Sequence, residues 1–352
     1  MIIEQFLPAF HYGDATSNSA LAFHNFLLDS GIESRLISLT SDKSMRDKVI
    51  LFKDYKEDRS SLKILHFAIP SLLTDFFLNV KGKKVMIYHN ITPSHFFADY
   101  SSFLTGFTEE GRKHLEKLKD CFDLSIGVSK YNVSDLEELG FKNATVFPLI
   151  IDLKDYDKKY SRGFYNLIKD ERKNILCVGR VAPNKKLEDA VKMLFFYKKY
   201  LSPSIRLIIA GNIESVPRYF FAVRDLASRF YLTSEDIIFT GHIKFDEFLS
   251  VYKASDVYLS VSEHEGFCLP VIESFKMGVP VVAYGAGAIN ETVGDGGIIL
   301  SDKDPELTAG TLEYVIGNEK LRNDLLKSGQ NKLNIYKESS NPEKLLNILK
   351  KI

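Results

Sequence analysis

The stretch from Asp256 to Gly285, DVYLSVSEHEGFCLPVIESFKMGVPVVAYG, decides the fold. It opens on an apolar run, DVYLSVS, and breaks at EHEGFC. It then resumes with helical spacing as LPVIESFKMG and closes on a second apolar run, VPVVAYG. Two continuous apolar strands joined through a helix read as one βαβ unit of a parallel sheet that is covered on both faces. Pro270 suits the first helical turn, where its missing N–H would have had no partner. Gly278 is placed to end the helix.

The same rhythm extends in both directions. In the first half, MIIEQFL, ESRLISL, LKILHFAI, KKVMIYHN, DLSIGVS and ATVFPLI read as strands, with helices such as SALAFHNFLLDSG and EEGRKHLEKLKDCF between them. In the second half the strands are RKNILCVG, SIRLIIAG, DIIFTGHI, SDVYLSVS, VPVVAYG and GGIIL. The expected architecture is α/β, with two doubly wound Rossmann-like domains facing across a cleft. The N-terminal domain should span 1–152 and the C-terminal domain 171–335. The charged stretch 153–170 breaks the rhythm and reads as their connection. A terminal helix over 336–352 should pack back on the first domain. Ligands of such folds bind beyond the carboxyl ends of the strands.

Bulk composition narrows the function. The chain has 352 residues, 45% hydrophobic and 26% charged, as in ordinary soluble globular proteins. Its 46 basic and 46 acidic residues cancel, so nothing points to a nucleic-acid partner. Cys121, Cys177 and Cys268 are too far apart for a disulfide framework or a zinc site and fit a reducing cytoplasm. The N-terminal stretch does not read as a signal peptide, and no apolar run is long enough to span a membrane. Peripheral contact with the inner face of a membrane stays open.

Chemistry concentrates at two strand-to-helix junctions. In the first, the amides of Phe267, Cys268 and Leu269 would sit at the positive end of the helix dipole, an anion site needing no side chain. Gly266 lets the backbone approach a ligand closely. Glu273, one turn further, can accept two hydroxyl hydrogen bonds, as from a ribose diol, and Glu265 can receive hydroxyls of another polyol. The competing reading is a solvated loop acid and a helix-favouring glutamate. The second junction, NILCVGRVAPNKKLEDAV, favours the ligand reading. Arg180 can grip phosphate oxygens with its fork and Lys185 adds a point charge, together a diphosphate clamp.

These residues resemble those of the retaining glycosyltransferases of family 4, which have the GT-B fold. The family's glutamate–seven residues–glutamate motif is matched by EGFCLPVIE, and its GR…K element by GRVAPNK. LIIAGN, IIFTGHI and GGIIL extend the resemblance over most of 174–300, and VMIYHNITP, IGVSKYNVSDL and VFPLIID carry it more weakly into the first half. The resemblance implies that Arg180 and Lys185 hold the diphosphate of a nucleotide-sugar donor. Glu273 would take the ribose, Glu265 the sugar hydroxyls, and His89 would contact the sugar as the active-site histidine. It places Gly13 near the diphosphate and Gly241 to Ile243 near the nucleobase. Cys268 and Lys186 stand where the family commonly has glycine.

The expected activity is retaining hexosyl transfer to a saccharide or lipid-linked saccharide, assisted by the leaving phosphate. No metal or other cofactor is expected, because the two cations and the helix dipole neutralise the diphosphate. Resemblance to bacterial surface-polysaccharide enzymes leans the donor towards GDP-mannose over a UDP-sugar. A nicotinamide dehydrogenase would need G-x-G-x-x-G after an early strand, which HYGDATSN lacks. A non-catalytic two-lobed sugar-binding protein is the other rival. His11, His264 and Asp14 read as local hydrogen-bonding or capping residues. Asp302 and Asp304 mimic a metal motif, but Asp304 before Pro305 reads as a helix cap. SHFFADYSSFLTGF reads as a loop that could cover an acceptor.

Overall fold

A computed structural model describes residues 1–352, which divide into two compact units. The first comprises Met1–His95, Phe103–Asp152 and Tyr336–Ile352, and the second Phe96–Ser102 and Leu153–Ile335.

The first unit runs β1 (Ile2–Phe10), α1 (Ala15–Asp29), β2 (Glu33–Ser41), β3 (Ile50–Leu51), β4 (Leu62–Phe67), α2 (Leu73–Asn79), β5 (Lys84–Tyr88), α3 (Ser102–Lys117), β6 (Leu124–Gly127), α4 (Lys130–Glu138) and β7 (Ala144–Val146). Its parallel sheet has the order β3-β2-β1-β4-β5-β6-β7. Every residue of β4 is buried, as covering both faces requires. Successive side chains of β1 enter different cores. Phe6 packs with Phe67, Phe77 and Leu115, under α2 and α3. Leu7 packs with Ala20 and Leu36, under α1.

The second unit runs α5 (Arg162–Ile168), β8 (Lys173–Val178), α6 (Leu187–Tyr200), β9 (Ile205–Ala210), α7 (Pro217–Arg229), β10 (Ile237–Gly241), α8 (Phe245–Ala254), β11 (Val257–Ser260), α9 (Leu269–Met277), β12 (Val281–Tyr284), α10 (Ile289–Val293), β13 (Ile298–Leu300), α11 (Pro305–Gly317) and α12 (Glu319–Ser339), and α13 (Pro342–Leu349) follows. Its sheet, also parallel, has the order β10-β9-β8-β11-β12-β13. The last turn of α12 and all of α13 pack on the first unit, where Leu345, Leu346 and Leu349 are buried and Tyr336 donates to the Leu149 carbonyl. No helix is long and apolar enough to cross a membrane.

Both sheets reverse direction of growth at one point, between β1 and β4 in the first and between β8 and β11 in the second. Loops leaving the two strands at such a point diverge and leave a crevice at the carboxyl edge.

One sequence expectation needs correction. The stretch 94–107 is no continuous loop. A 3-10 turn covers Ser94–Phe96, and α3 begins at Ser102 and buries Gly111 and Leu115 in its later turns. Residues 153–170 hold a 3-10 turn (Leu153–Asp157) and α5, and they cluster with the second unit. Ser250 on α8 donates to the Ser161 carbonyl, which anchors the start of α5.

Candidate functional site

The reversal point of the second sheet brings together the loops after β8 and β11. In the loop after β8, Val181 is buried and its amide donates to the Asn212 carbonyl. Arg180 is left exposed, beside a half-buried Gly179. Pro183 starts a 3-10 turn that ends with Lys186 in the left-handed region at φ 51. A side chain at that angle carries a conformational cost. Lys186 also faces two carboxylates, Glu188 at 3.5 Å and Glu263 at 3.6 Å.

Asn184 ties the two loops together. Its carbonyl accepts from the Glu263 amide at 2.9 Å and its side chain donates to the His264 carbonyl at 3.1 Å. Sequence reasoning passed over this residue. The available signal was a short polar side chain between proline and lysine, a combination suited to turns.

Lys185 and Glu265 lie 80 residues apart in sequence, yet Nζ meets Oε1 at 2.6 Å. Their side chains are only 18% and 11% exposed. Burial acts to lower the Lys185 pKa, but the adjacent Glu265 carboxylate outweighs it and the net shift is upward. The lysine is therefore a charged, internally paired cation, and Arg180 is the unpaired one. The Glu265 backbone is fixed as well, because Ala288 N–H donates to its carbonyl at 2.9 Å. Gly287 permits this closeness, since a Cβ there would lie 2.6 Å from that same carbonyl oxygen.

At the start of α9, Cys268 adopts φ 67 and caps the helix without a side-chain hydrogen bond, with Leu269 and Pro270 opening the first turn. The Phe267 carbonyl accepts from Thr292 at 2.6 Å, and Gly266 and Phe267 are half-buried. Burial pushes the Cys268 thiol up to about 12. Gly278 closes the helix at φ 69. Arg180, Lys185, Gly179, Ser260 and Ser262 line one recess between the loops.

Glu273 is an enclosed acid. It is 5% exposed, with Oε1 accepting from Tyr156 at 2.6 Å and Oε2 from Tyr252 at 2.7 Å. Burial raises its pKa while the two phenols favour the carboxylate. Each oxygen retains one further acceptor position. Gly241 ends β10 at φ 66, with Ile243 just beyond. They lie at the same carboxyl edge but at its margin, because β9 separates β10 from β8.

In the first unit, Gly13 sits at φ 78 in the exposed turn between β1 and α1. Asp14 caps α1 by accepting from the Ser17 amide at 2.9 Å. His11 bonds Asp42 at 2.7 Å. His89 follows β5, and its amide donates to the Phe67 carbonyl. The His89 ring is half-buried, with Nε2 3.0 Å from His66 Nδ1, and burial lowers its pKa to about 4. Gln5 and His66, buried polar residues inside strands β1 and β4, were not picked out from the sequence. A glutamine and a histidine embedded in IIEQFL and KILHFAI were the signal.

In the segment Phe96–Ser102, Phe96 packs on the ring of His264 and Tyr100 meets Tyr219 edge-on at 5.1 Å. Asp304 caps α11 through the amides of Glu306 and Leu307 at 2.9 Å, and the Asp302 side chain accepts from the Asp304 amide.

Comparison with known proteins agrees with this architecture. Residues 163–332 match the family described as glycosyl transferases group 1. An uncharacterized glycosyltransferase of Methanocaldococcus jannaschii is 30% identical over 294 residues, covering 81% of this chain and 72% of that protein. The serotype-specific mannosyltransferase WbdA of Escherichia coli is 21% identical over 151 residues, 43% of this chain and 18% of WbdA. The solved structure of Anabaena HepE in complex with UDP-glucose superposes with a TM-score of 0.76 at 14% identity, covering 100% of both chains. Two parallel Rossmann-like sheets, a matched domain and a relative aligned across most of its length lead to one assignment: the chain belongs to the group 1 glycosyl transferases, of the GT-B type.

Proposed function

We propose that this chain transfers a hexose from a nucleotide diphosphate sugar to a hydroxyl of a saccharide or lipid-linked saccharide, keeping the anomeric configuration, during synthesis of a cell-surface polysaccharide such as O-antigen or capsule. The supporting observation is the meeting of Arg180, the Lys185–Glu265 pair and the start of α9 on two loops held together by Asn184. Arg180 binds the diphosphate first, as the cation with no partner. Lys185 joins it as Glu265 turns from the ammonium to the sugar hydroxyls. The amides of Gly266 to Leu269 add the positive end of α9.

Charge on the leaving diphosphate grows as the sugar–phosphate bond breaks, so these groups stabilise the transition state more than the bound donor. Two cations and a helix terminus make a metal ion unnecessary in this scheme. The ribose bonds the remaining acceptor positions of Glu273, and the nucleobase rests near Gly241 and Ile243. On the first unit, His89 is assigned to the donor sugar, Gly13 to the diphosphate, and the unit itself to the acceptor. A front-face substitution assisted by the leaving phosphate accounts for retention without a protein nucleophile. In this reading the protein works in the cytoplasm, with peripheral contact at the inner face of the membrane where the acceptor is lipid-linked.

GDP-mannose is the leading donor, in keeping with the mannosyltransferase name of WbdA. A UDP-sugar is the second reading, favoured by the fold shared with HepE, whose structure holds UDP-glucose. A thermal-shift screen with GDP, UDP, ADP and dTDP separates these, because a ligand bound only to the folded state raises apparent stability. The reading expects one nucleotide to stand out, release of that nucleotide from its sugar during turnover, and turnover that persists in EDTA. It fails if none of the four shifts the protein, or if Arg180→Ala leaves turnover intact.

A further inference from the structure

The first unit contains a chain of hydrogen bonds whose direction is set by a single backbone carbonyl. Gln5 Nε2 lies 3.1 Å from the Ala20 carbonyl oxygen on α1. A carbonyl can only accept, so the amide nitrogen of Gln5 must face it; the flipped amide would set two acceptors against each other. Gln5 Oε1 is thereby turned to His66 Nε2 at 3.0 Å, and that nitrogen must carry a proton. A neutral His66 then has a bare Nδ1, which accepts from His89 Nε2 at 3.0 Å. The ring centroids are 5.2 Å apart and the planes 23° from parallel, a geometry compatible with an in-plane N–H to lone-pair bond. A neutral His89 is consequently left with a bare Nδ1.

We propose that Gln5 and His66 are positioning residues that lock His89 in one tautomer, with Nδ1 presented as a hydrogen-bond acceptor, so that the ligand group it recognises is a hydroxyl of a sugar and not a phosphate or carboxylate oxygen. The ligand half rests on the role of His89 proposed above; the tautomer half concerns the protein alone. An anionic oxygen has no proton to offer a bare nitrogen, whereas a sugar hydroxyl does. Nothing in the protein occupies His89 Nδ1, which is not among the sealed, unpartnered polar atoms. Gln5 is fully buried and His66 is 2% exposed, so the direction of the relay is set by protein groups. The titratable groups facing His89 are His66, which bonds it, and Asp14, which acts on it only through its charge. Burial keeps both rings neutral near pH 7.

The test is nitrogen-15 NMR of the full chain with labelled histidine at pH 7, where the couplings of ring nitrogens to ring carbon protons distinguish the two neutral tautomers. His66 and His89 are assigned from the signals lost in His66→Phe and His89→Ala. The expected result is the Nε2–H tautomer at both positions; an Nδ1–H His89, or a rapidly averaging one, overturns the relay. In His66→Phe the His89 signals should move to averaged values, and kcat/KM with GDP-mannose or UDP-glucose should fall about tenfold, the worth of one oriented hydrogen bond. A packing role alone would lower the melting temperature and leave the His89 tautomer unchanged, and that result counts against the proposal. The wild-type spectrum decides the relay even if His66→Phe fails to fold. Should the tautomer be as expected while His89→Ala turns over both donors as wild type does, the relay stands and hydroxyl recognition by His89 falls.

Discussion

Replacing Lys185 by methionine removes the cation of a short, enclosed ion pair and leaves the Glu265 carboxylate behind. The pair is 2.6 Å long, and neither side chain is more than 18% exposed. Removing one member of such a pair costs roughly 3–5 kcal/mol because the survivor is an uncompensated charge in a poorly solvated place. Residual access of water to both groups argues for the lower end, about 3 kcal/mol. For a body of this size each kcal/mol moves the melting temperature by about 2–4 °C, so Lys185→Met should melt roughly 6–12 °C below wild type. The double variant Lys185→Met with Glu265→Gln has no stranded charge and should recover about 2 kcal/mol, a coupling that a double-mutant cycle measures directly. Lys185→Met should also weaken GDP or UDP in calorimetric titration by roughly tenfold or more, the loss of a charged hydrogen bond. The raised Lys185 pKa sets the sign with pH: its contribution is complete at neutral pH and is lost only on strong alkalinisation. If the single variant melts within about 2 °C of wild type and the double variant is no more stable than the single, the reasoning from burial and pairing is wrong.

Tyr252→Phe leaves one oxygen of the buried Glu273 with a lost donor and should cost about 1–3 kcal/mol in thermal or urea unfolding; a loss below half of that would show the carboxylate is protonated or otherwise solvated. Gly211→Ala should prevent accumulation of folded protein, because its φ is +148 and the new Cβ would lie 2.1 Å from the Gly179 carbonyl oxygen. Expression of a soluble variant with wild-type melting would contradict that contact. Asp304→Ala should lose about 1 kcal/mol through the uncapped start of α11, with turnover unchanged. His89 titrates near 4 in the fold against an ordinary 6.5, so acid protonates the unfolded chain first. Stability should therefore fall as pH drops from about 6.5 towards 4, and His89→Gln should flatten part of that decline in melting curves.

The alternation of strands and helices was legible in the sequence because buried parallel strands are apolar throughout and helices repeat their apolar positions. Twelve of the strands could be read in that way, and only the two-residue β3 was too short to carry a pattern. The caps at Asp14 and Asp304 and the stop at Gly278 were legible for the same reason: each acts on residues within a few positions of itself. The left-handed angles at Lys186 and Cys268, by contrast, were signalled only by the glycine common at both positions in the family, because non-glycine residues reach such angles only when the surrounding contacts hold them there.

What lies beyond local reach was decided by the tertiary structure. Strand order, and with it the reversal between β8 and β11, determines which loops become neighbours. Residues 80 apart form the Lys185–Glu265 pair, and Tyr156 reaches Glu273 across 117 positions. Gln5, His66 and His89 join only because β1, β4 and β5 are consecutive in the sheet. Hydrophobic periodicity records whether a side chain points inward. It does not record which inward-pointing polar groups will face each other, since that depends on how separate strands are ordered and brought into register.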